Sequence, residues 1–342
     1  MLAPHVITGQ HGSPTVPDGA GGTNPDGRRH RTGSSRCLFN PGPDAQIGWP
    51  RRITGLSPLM ALSAGSPGIS VAMIDGPLVL DHPDLATENI RVLGGRGHAA
   101  CANPVGIACR HGTYVAGVLH ARRDGPVQGI CPGCTLLVRP IFSDAAAVAS
   151  SDGVPNATIS ELSGALHDVI EAGARIVNLS VGLAEPFGRA EPAMDAALDL
   201  AIRRDVIIIA AAGNQGTVGG SAITRHPWVV PVVACDRSGH VLSQSNLGAS
   251  IGRNGVMAPG HDILSLSASG GQSTFSGTSA AVPFVTGAMA LLWSAFPAAS
   301  ASQLRLAATG GWTRRRSVTP PLLDAWTAYQ ALKSINTGVR AR

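Results

Sequence analysis

Four side chains, each in its own glycine-rich setting, could together carry out acyl transfer: Asp75, His111, Asn214 and Ser279. Asp75 closes Val71-Ala-Met-Ile-Asp75-Gly-Pro77, an apolar run that stops at a tight turn. His111 begins His111-Gly-Thr-Tyr-Val-Ala-Gly-Val118, whose small residues let another backbone approach closely. Ser279 lies in Ser276-Gly-Thr-Ser279-Ala-Ala-Val-Pro283, where a glycine-rich loop enters a helix and the helix N-terminus favours developing negative charge. Asn214 ends Ala210-Ala-Ala-Gly213-Asn214.

Taken singly, each has an ordinary reading: an Asp at a strand-ending turn, a core or capping His, a Ser N-cap. The set is worth more than its members. A serine hydroxyl is a weak nucleophile at neutral pH and needs a base to take its proton. Histidine titrates near that pH, and a carboxylate can fix its tautomer and stabilise the imidazolium. A tetrahedral intermediate also needs donors aimed at its oxyanion. The Asn214 amide and the Ser279 backbone N–H are the candidates.

These residues must be positioned by an α/β scaffold. Continuous apolar runs of strand length occur at 69–74, 136–141, 175–181, 206–212 and 228–235. Lack of alternation predicts strands buried on both faces. Helical patterns fall at 56–64, 111–121, 159–172, 192–203, 279–296, 300–308 and 323–332. Strands separated by helices imply right-handed crossovers, hence three layers: a mostly parallel central sheet with helices on both faces. Residues 1–50, poor in large apolar residues and rich in Gly, Pro, Ser, Asn and Arg, read as a disordered arm. One domain spans 51–335, and 336–342 is a tail.

Composition narrows the partners. The net charge is +5 over 342 residues, but residues 1–60 carry six Arg against three Asp, and residues 314–342 carry six basic residues against one acidic. Residues 61–313 hold 14 Arg against 17 acidic residues, so the globular part is mildly acidic and offers no basic stripe for nucleic acid. No run approaches the roughly 18–20 consecutive apolar residues that cross a bilayer, and residues 1–30 lack the apolar core of a secretory signal. A cytoplasmic protein with no nucleic-acid or membrane partner is expected. The six cysteines leave alternatives open: Cys101, Cys109, Cys131 and Cys134 could form a zinc site, two disulfides or four thiols. A cytoplasmic setting disfavours obligatory disulfides, and Cys235 reads as a buried thiol. No cofactor or catalytic metal is expected, and structural calcium is left open.

The order Asp, His, Asn, Ser, with these local contexts, resembles the subtilisin-like serine peptidases (subtilases) across residues 53–332. The resemblance implies a triad of Asp75, His111 and Ser279 with Asn214 in the oxyanion hole. It also implies that Asn178-Leu-Ser-Val-Gly182 pairs with an extended substrate, so Ser180, Val181, Gly182 and Gly213 become candidate substrate-binding residues. Asn246 and the segments 258–260 and 324–332 extend the likeness. Further segments, Ile53-Thr-Gly-Leu56, Gly129-Ile-Cys-Pro-Gly-Cys134 and Pro140-Ile-Phe142, are similar to subtilases that mature cyanobactin-type ribosomal peptides. The resemblance implies a serine endopeptidase acting through an acyl-enzyme on a peptide or protein, cutting a leader or follower segment from a precursor. Only 35 residues separate Asp75 from His111, too few for the insertion associated with ring closure, so hydrolysis is expected. A general intracellular subtilase and a non-catalytic peptide-binding module are the alternatives. Tyr114 departs from the usual pattern after His-Gly-Thr and is expected to line the site or pack nearby. Val181 stands for a common Leu.

Overall fold

The computed structural model describes residues 6–8, 43–94, 101–143, 155–183, 191–310 and 316–340. The chain runs β1 (Val6–Thr8), α1 (Pro43–Ile53), α2 (Leu56–Leu62), β2 (Ser70–Asp75), β3 (Ile90–Val92), α3 (Ile107–His120) and β4 (Thr135–Pro140). It continues through β5 (Asn156–Thr158), α4 (Ile159–Glu171), β6 (Ile176–Leu179), β7 (Gly182–Leu183), α5 (Pro192–Arg203), β8 (Ile207–Ala211) and α6 (Ala222–Arg225). The last part holds β9 (Val230–Cys235), α7 (Ala249–Asn254), β10 (Val256–Pro259), β11 (Ile263–Leu266), β12 (Gln272–Phe275), α8 (Thr278–Ala295), α9 (Ala301–Thr309) and α10 (Ala325–Arg340).

Seven strands form the central sheet in the order β10-β9-β8-β6-β2-β4-β3, and every pairing is parallel. The continuous apolar runs exist because both faces are covered. In β2, Val71 and Met73 join one core while Ala72 and Ile74 join the other. Helices α4 and α5 cover the second face, and α3 and α8 cover the first, with α2, α9 and α10 packed against α8. Thr278–Ala295 is apolar enough in composition to cross a membrane, yet 83% of it is buried in the fold, as befits a core helix. The three-layer α/β expectation holds.

After β2 the chain builds outward to β4 and β3, then returns to β6 on the other side and proceeds to β10. The sheet therefore has a switch point between β2 and β6, and the crevice beyond their carboxyl ends is where open α/β sheets bind ligands. Asp75 ends β2, and Ser180 follows β6.

Several expectations need correcting. The proposed disordered arm over 1–50 contains β1 and most of α1, and Trp49 of α1 is buried. Trp49 packs into the core although the stretch is poor in large apolar residues; residues 1–5 and 9–42, Cys37 among them, lie outside the described residues. Helix α10 runs through the predicted domain end at 335 to Arg340. Helix α3 begins at Ile107, not at His111, because extended Gly106 marks the boundary without a capping side chain to signal it. Cys101 and Cys109 form a disulfide, against the expectation from compartment, while Cys131, Cys134 and Cys235 are buried thiols.

Candidate active site

Asp75 and His111 come together because two glycines remove the atoms that would keep their elements apart. A Cβ on Gly76 would collide with the Ala108 carbonyl oxygen, and one on Gly112 would collide with that of Pro77. With neither present, the turn after β2 lies directly against α3. His111 Nδ1 then meets Asp75 Oδ1 at 2.7 Å, with the carboxylate fully buried and the imidazole 6% exposed. The Gly76 N–H donates to the same oxygen at 2.7 Å. With the carboxylate oxygen as acceptor, the assigned tautomer carries its proton on Nδ1 and makes Nε2 the ring's acceptor nitrogen. His111 sits in the second turn of α3, one turn inside the end where the sequence placed it.

Ser279 is the second residue of α8 and half-buried, on the helix packed beside α3. Pro283 lies beyond the first turn and has no N–H for the carbonyl four residues back, which is that of Ser279. Ser180 supplies the missing donor: its Oγ donates to the Ser279 carbonyl at 3.0 Å. Asn178 Nδ2 donates to Ser180 Oγ at 2.9 Å, and Thr286 Oγ1, two turns further along α8, donates to Asn178 Oδ1 at 2.9 Å. A ring of side-chain hydrogen bonds thus ties the nucleophile's helix to the end of β6. Ser180 is expected from the sequence to line a substrate site; what the structure gives it is a role as anchor for α8. The part played by Asn178 and Thr286 is not visible in the sequence.

Asn214 follows β8, and its Oδ1 accepts from both the backbone N–H and the hydroxyl of Thr278, at 2.9 and 3.0 Å. Because only the amide oxygen can accept these, Nδ2 is turned away from Thr278. The residue before the candidate nucleophile therefore sets the amide's orientation. Gly213 has φ +103°, a conformation that favours glycine, and a Cβ there would collide with Asn246 Nδ2.

The predicted substrate strand is also placed. Short strands β5 and β7 are not paired with each other; β1 lies between them and runs parallel to both, with Val6 opposite Asn156 and Gly182. The one-strand space between β5 and β7, beside Ser180, is thus filled by the chain's own β1. Val181 is buried among residues of the α4–α5 face and does not line this slot with an exposed side chain.

Tyr114 packs nearby as expected. It is fully buried, donates to the Ile263 carbonyl at 2.9 Å, and burial raises its hydroxyl well above the usual value. Its ring lies 4.3 Å from that of Phe275, whose edge in turn approaches His111 at 6.2 Å between centroids. At the far end of α3, His120 is buried and Nε2 donates to the Cys134 carbonyl at 2.9 Å; desolvation lowers its pKa to about 4. Among the described residues, no three His, Cys, Asp or Glu side chains converge as metal ligands would.

Known proteins share this arrangement of sheet and helices. Residues 66–310 match the subtilase family. Subtilisin DY of Bacillus licheniformis is 31% identical over 242 residues, covering 69% of this chain and 81% of that one. A serine-to-alanine mutant of the protease domain of PatA superposes with a TM-score of 0.72 at 32% identity, covering 79% of this chain and 97% of that one. The prenylagaramide maturation protease PagA gives a TM-score of 0.71 at 29% identity, covering 81% and 98% respectively.

Proposed function

Because the chain belongs to the subtilase family and is a serine endopeptidase, we propose that it cuts a leader or follower segment from a ribosomally made precursor peptide. Ser279 Oγ attacks the scissile carbonyl while His111 Nε2 takes its proton. Asp75 holds the imidazole in the required tautomer and stabilises its charged form. Asn214 Nδ2 and the Ser279 N–H receive the oxyanion, aided by the N-terminus of α8. His111 then protonates the leaving amine, and water, activated by the same base, releases the acyl group from Ser279. The extended substrate takes the place of β1 between β5 and β7, in contact with Ser180, Gly182 and Gly213. Hydrolysis is favoured over ring closure because the span between Asp75 and His111 is short.

The observation that supports a processing role is the match to two peptidases over 97% and 98% of their own lengths, one of them named a maturation protease. The test is mass spectrometry of products from an unbiased peptide library, with a fluorophosphonate probe alongside. Cleavage confined to one sequence context, with labelling that vanishes in Ser279→Ala, is the expected result. Cleavage at many unrelated bonds would replace the processing role with that of a general peptidase. Persistent labelling of Ser279→Ala would remove Ser279 from its role. Asn214→Ala should lower kcat by roughly 10²–10³-fold with KM little changed.

A further inference from the structure

The turn that carries Asn214 is held from beneath by one buried amide. Asn246, 3% exposed, accepts three hydrogen bonds at Oδ1: from the backbone N–H of Gln215 at 3.1 Å, from that of Thr217 at 3.1 Å, and from the Thr217 hydroxyl at 3.2 Å. Its Nδ2 donates to Gln215 Oε1 at 2.6 Å, and its backbone N–H donates to the Gly213 carbonyl at 2.9 Å. Asn246 thus binds the residues immediately before and after Asn214. The flanking backbone bonds, Gly216 N–H to Gln244 and Leu247 N–H to Thr217, continue the same seam. Gly213 completes the fit, since any side chain there would strike the Asn246 amide.

We propose that Asn246 is a positioning residue for the oxyanion donor: it fixes the 213–217 turn so that Asn214 Nδ2 points at the developing oxyanion. Thr278 sets the rotation of the Asn214 amide, and Asn246 sets where its backbone stands. Neither support does both jobs, because an amide held only at its tip can still drift with its turn. Displacement of about 1 Å at a catalytic group costs on the order of 10²-fold in rate. The inference rests on the assignment of Asn214 to the oxyanion hole.

The experiment is a double-mutant cycle on the full chain, using kcat and KM for a chromogenic peptide that the wild type cleaves. Enzyme concentration is set by fluorophosphonate titration, so unfolded protein does not count. Asn246→Ala should lower kcat by about 10- to 100-fold and leave KM within about twofold. In the Asn214→Ala background the same change should have almost no further effect, because the group it positions is gone. A purely structural role would give independent losses, so a double variant with the product of both losses overturns the proposal. An unchanged kcat in Asn246→Ala overturns it as well. If Asn246→Ala cannot be obtained folded, Asn246→Ser, polar but too short to reach the three donors, enters the same cycle with the same criterion of non-additivity. Failure of Asn214→Ala to lower kcat would instead sink the oxyanion assignment, which separates the two readings.

Discussion

The two halves of the site are built by different means. On one side, Asp75 and His111 meet because Gly76 and Gly112 allow β2 and α3 to touch, so the pair is set by backbone proximity. On the other side, Ser279 and Asn214 sit on a helix end and a loop, and their places are set by side-chain hydrogen bonds from Ser180, Thr278 and Asn246. The first half has little freedom and few replaceable parts. The second has many small parts, each of which can be weakened. Changes to the first half should therefore act in large steps, whereas changes to the second should be graded.

The largest step is expected from Asp75→Ala, which leaves His111 without its orienting carboxylate: kcat should fall by roughly 10⁴-fold with KM little altered. A loss below about tenfold would show that the buried pair is not what orders the base. Next comes acid. His120, on the same helix as His111, has its pKa held at about 4 by burial, against 6.5 when exposed. The unfolded chain takes up the proton first, so stability should decline by about 3 kcal/mol as pH falls from 6.5 to about 4 and be unaffected above that window. Urea midpoints across this range should fall less steeply in His120→Asn than in the wild type. An identical slope in both would mean that α3 does not limit acid stability. Gly112→Ala should then cost about 10²-fold in kcat, since its Cβ must push α3 away from Pro77 and with it His111 from Asp75. Normal activity in that variant would erase the contrast between the halves. The smallest effect belongs to Thr278→Val, which removes one of two donors to Asn214 and should reduce kcat by roughly 3- to 10-fold. A loss as large as that of Asn214→Ala would mean that the hydroxyl carries the amide's orientation alone.

The same division explains what can be read from the sequence. Buried parallel strands leave continuous apolar runs, so β2, β4, β6, β8 and β9 are located within two residues of their ends. Helix α5 is bounded correctly at both ends, helped by Pro192 at its start and Arg203 at its close. Strands of two or three residues, such as β3, β5 and β7, are too short to show a period. In the site, residue type and glycine context reveal the chemistry-bearing side chains, because reactivity demands those types. The supports escape notice, since Thr286, Thr278 and Phe275 are ordinary residues whose contribution exists only once the chain is folded. Pro283 lies beyond the first turn of α8 and frees the Ser279 carbonyl, an effect that shows only once the helix's start is known.

That freed carbonyl has a consequence for motion. The ends of helices open at little cost, and a nucleophile on a first turn would ordinarily share in that fraying. Here the carbonyl is pinned to Ser180, and the pin is closed into a ring through Asn178 and Thr286. Opening the first turn of α8 thus requires a hydroxyl at the end of β6 to let go as well. Amide exchange at the start of α8 should then follow the slow rhythm of the central strands and not that of a helix terminus.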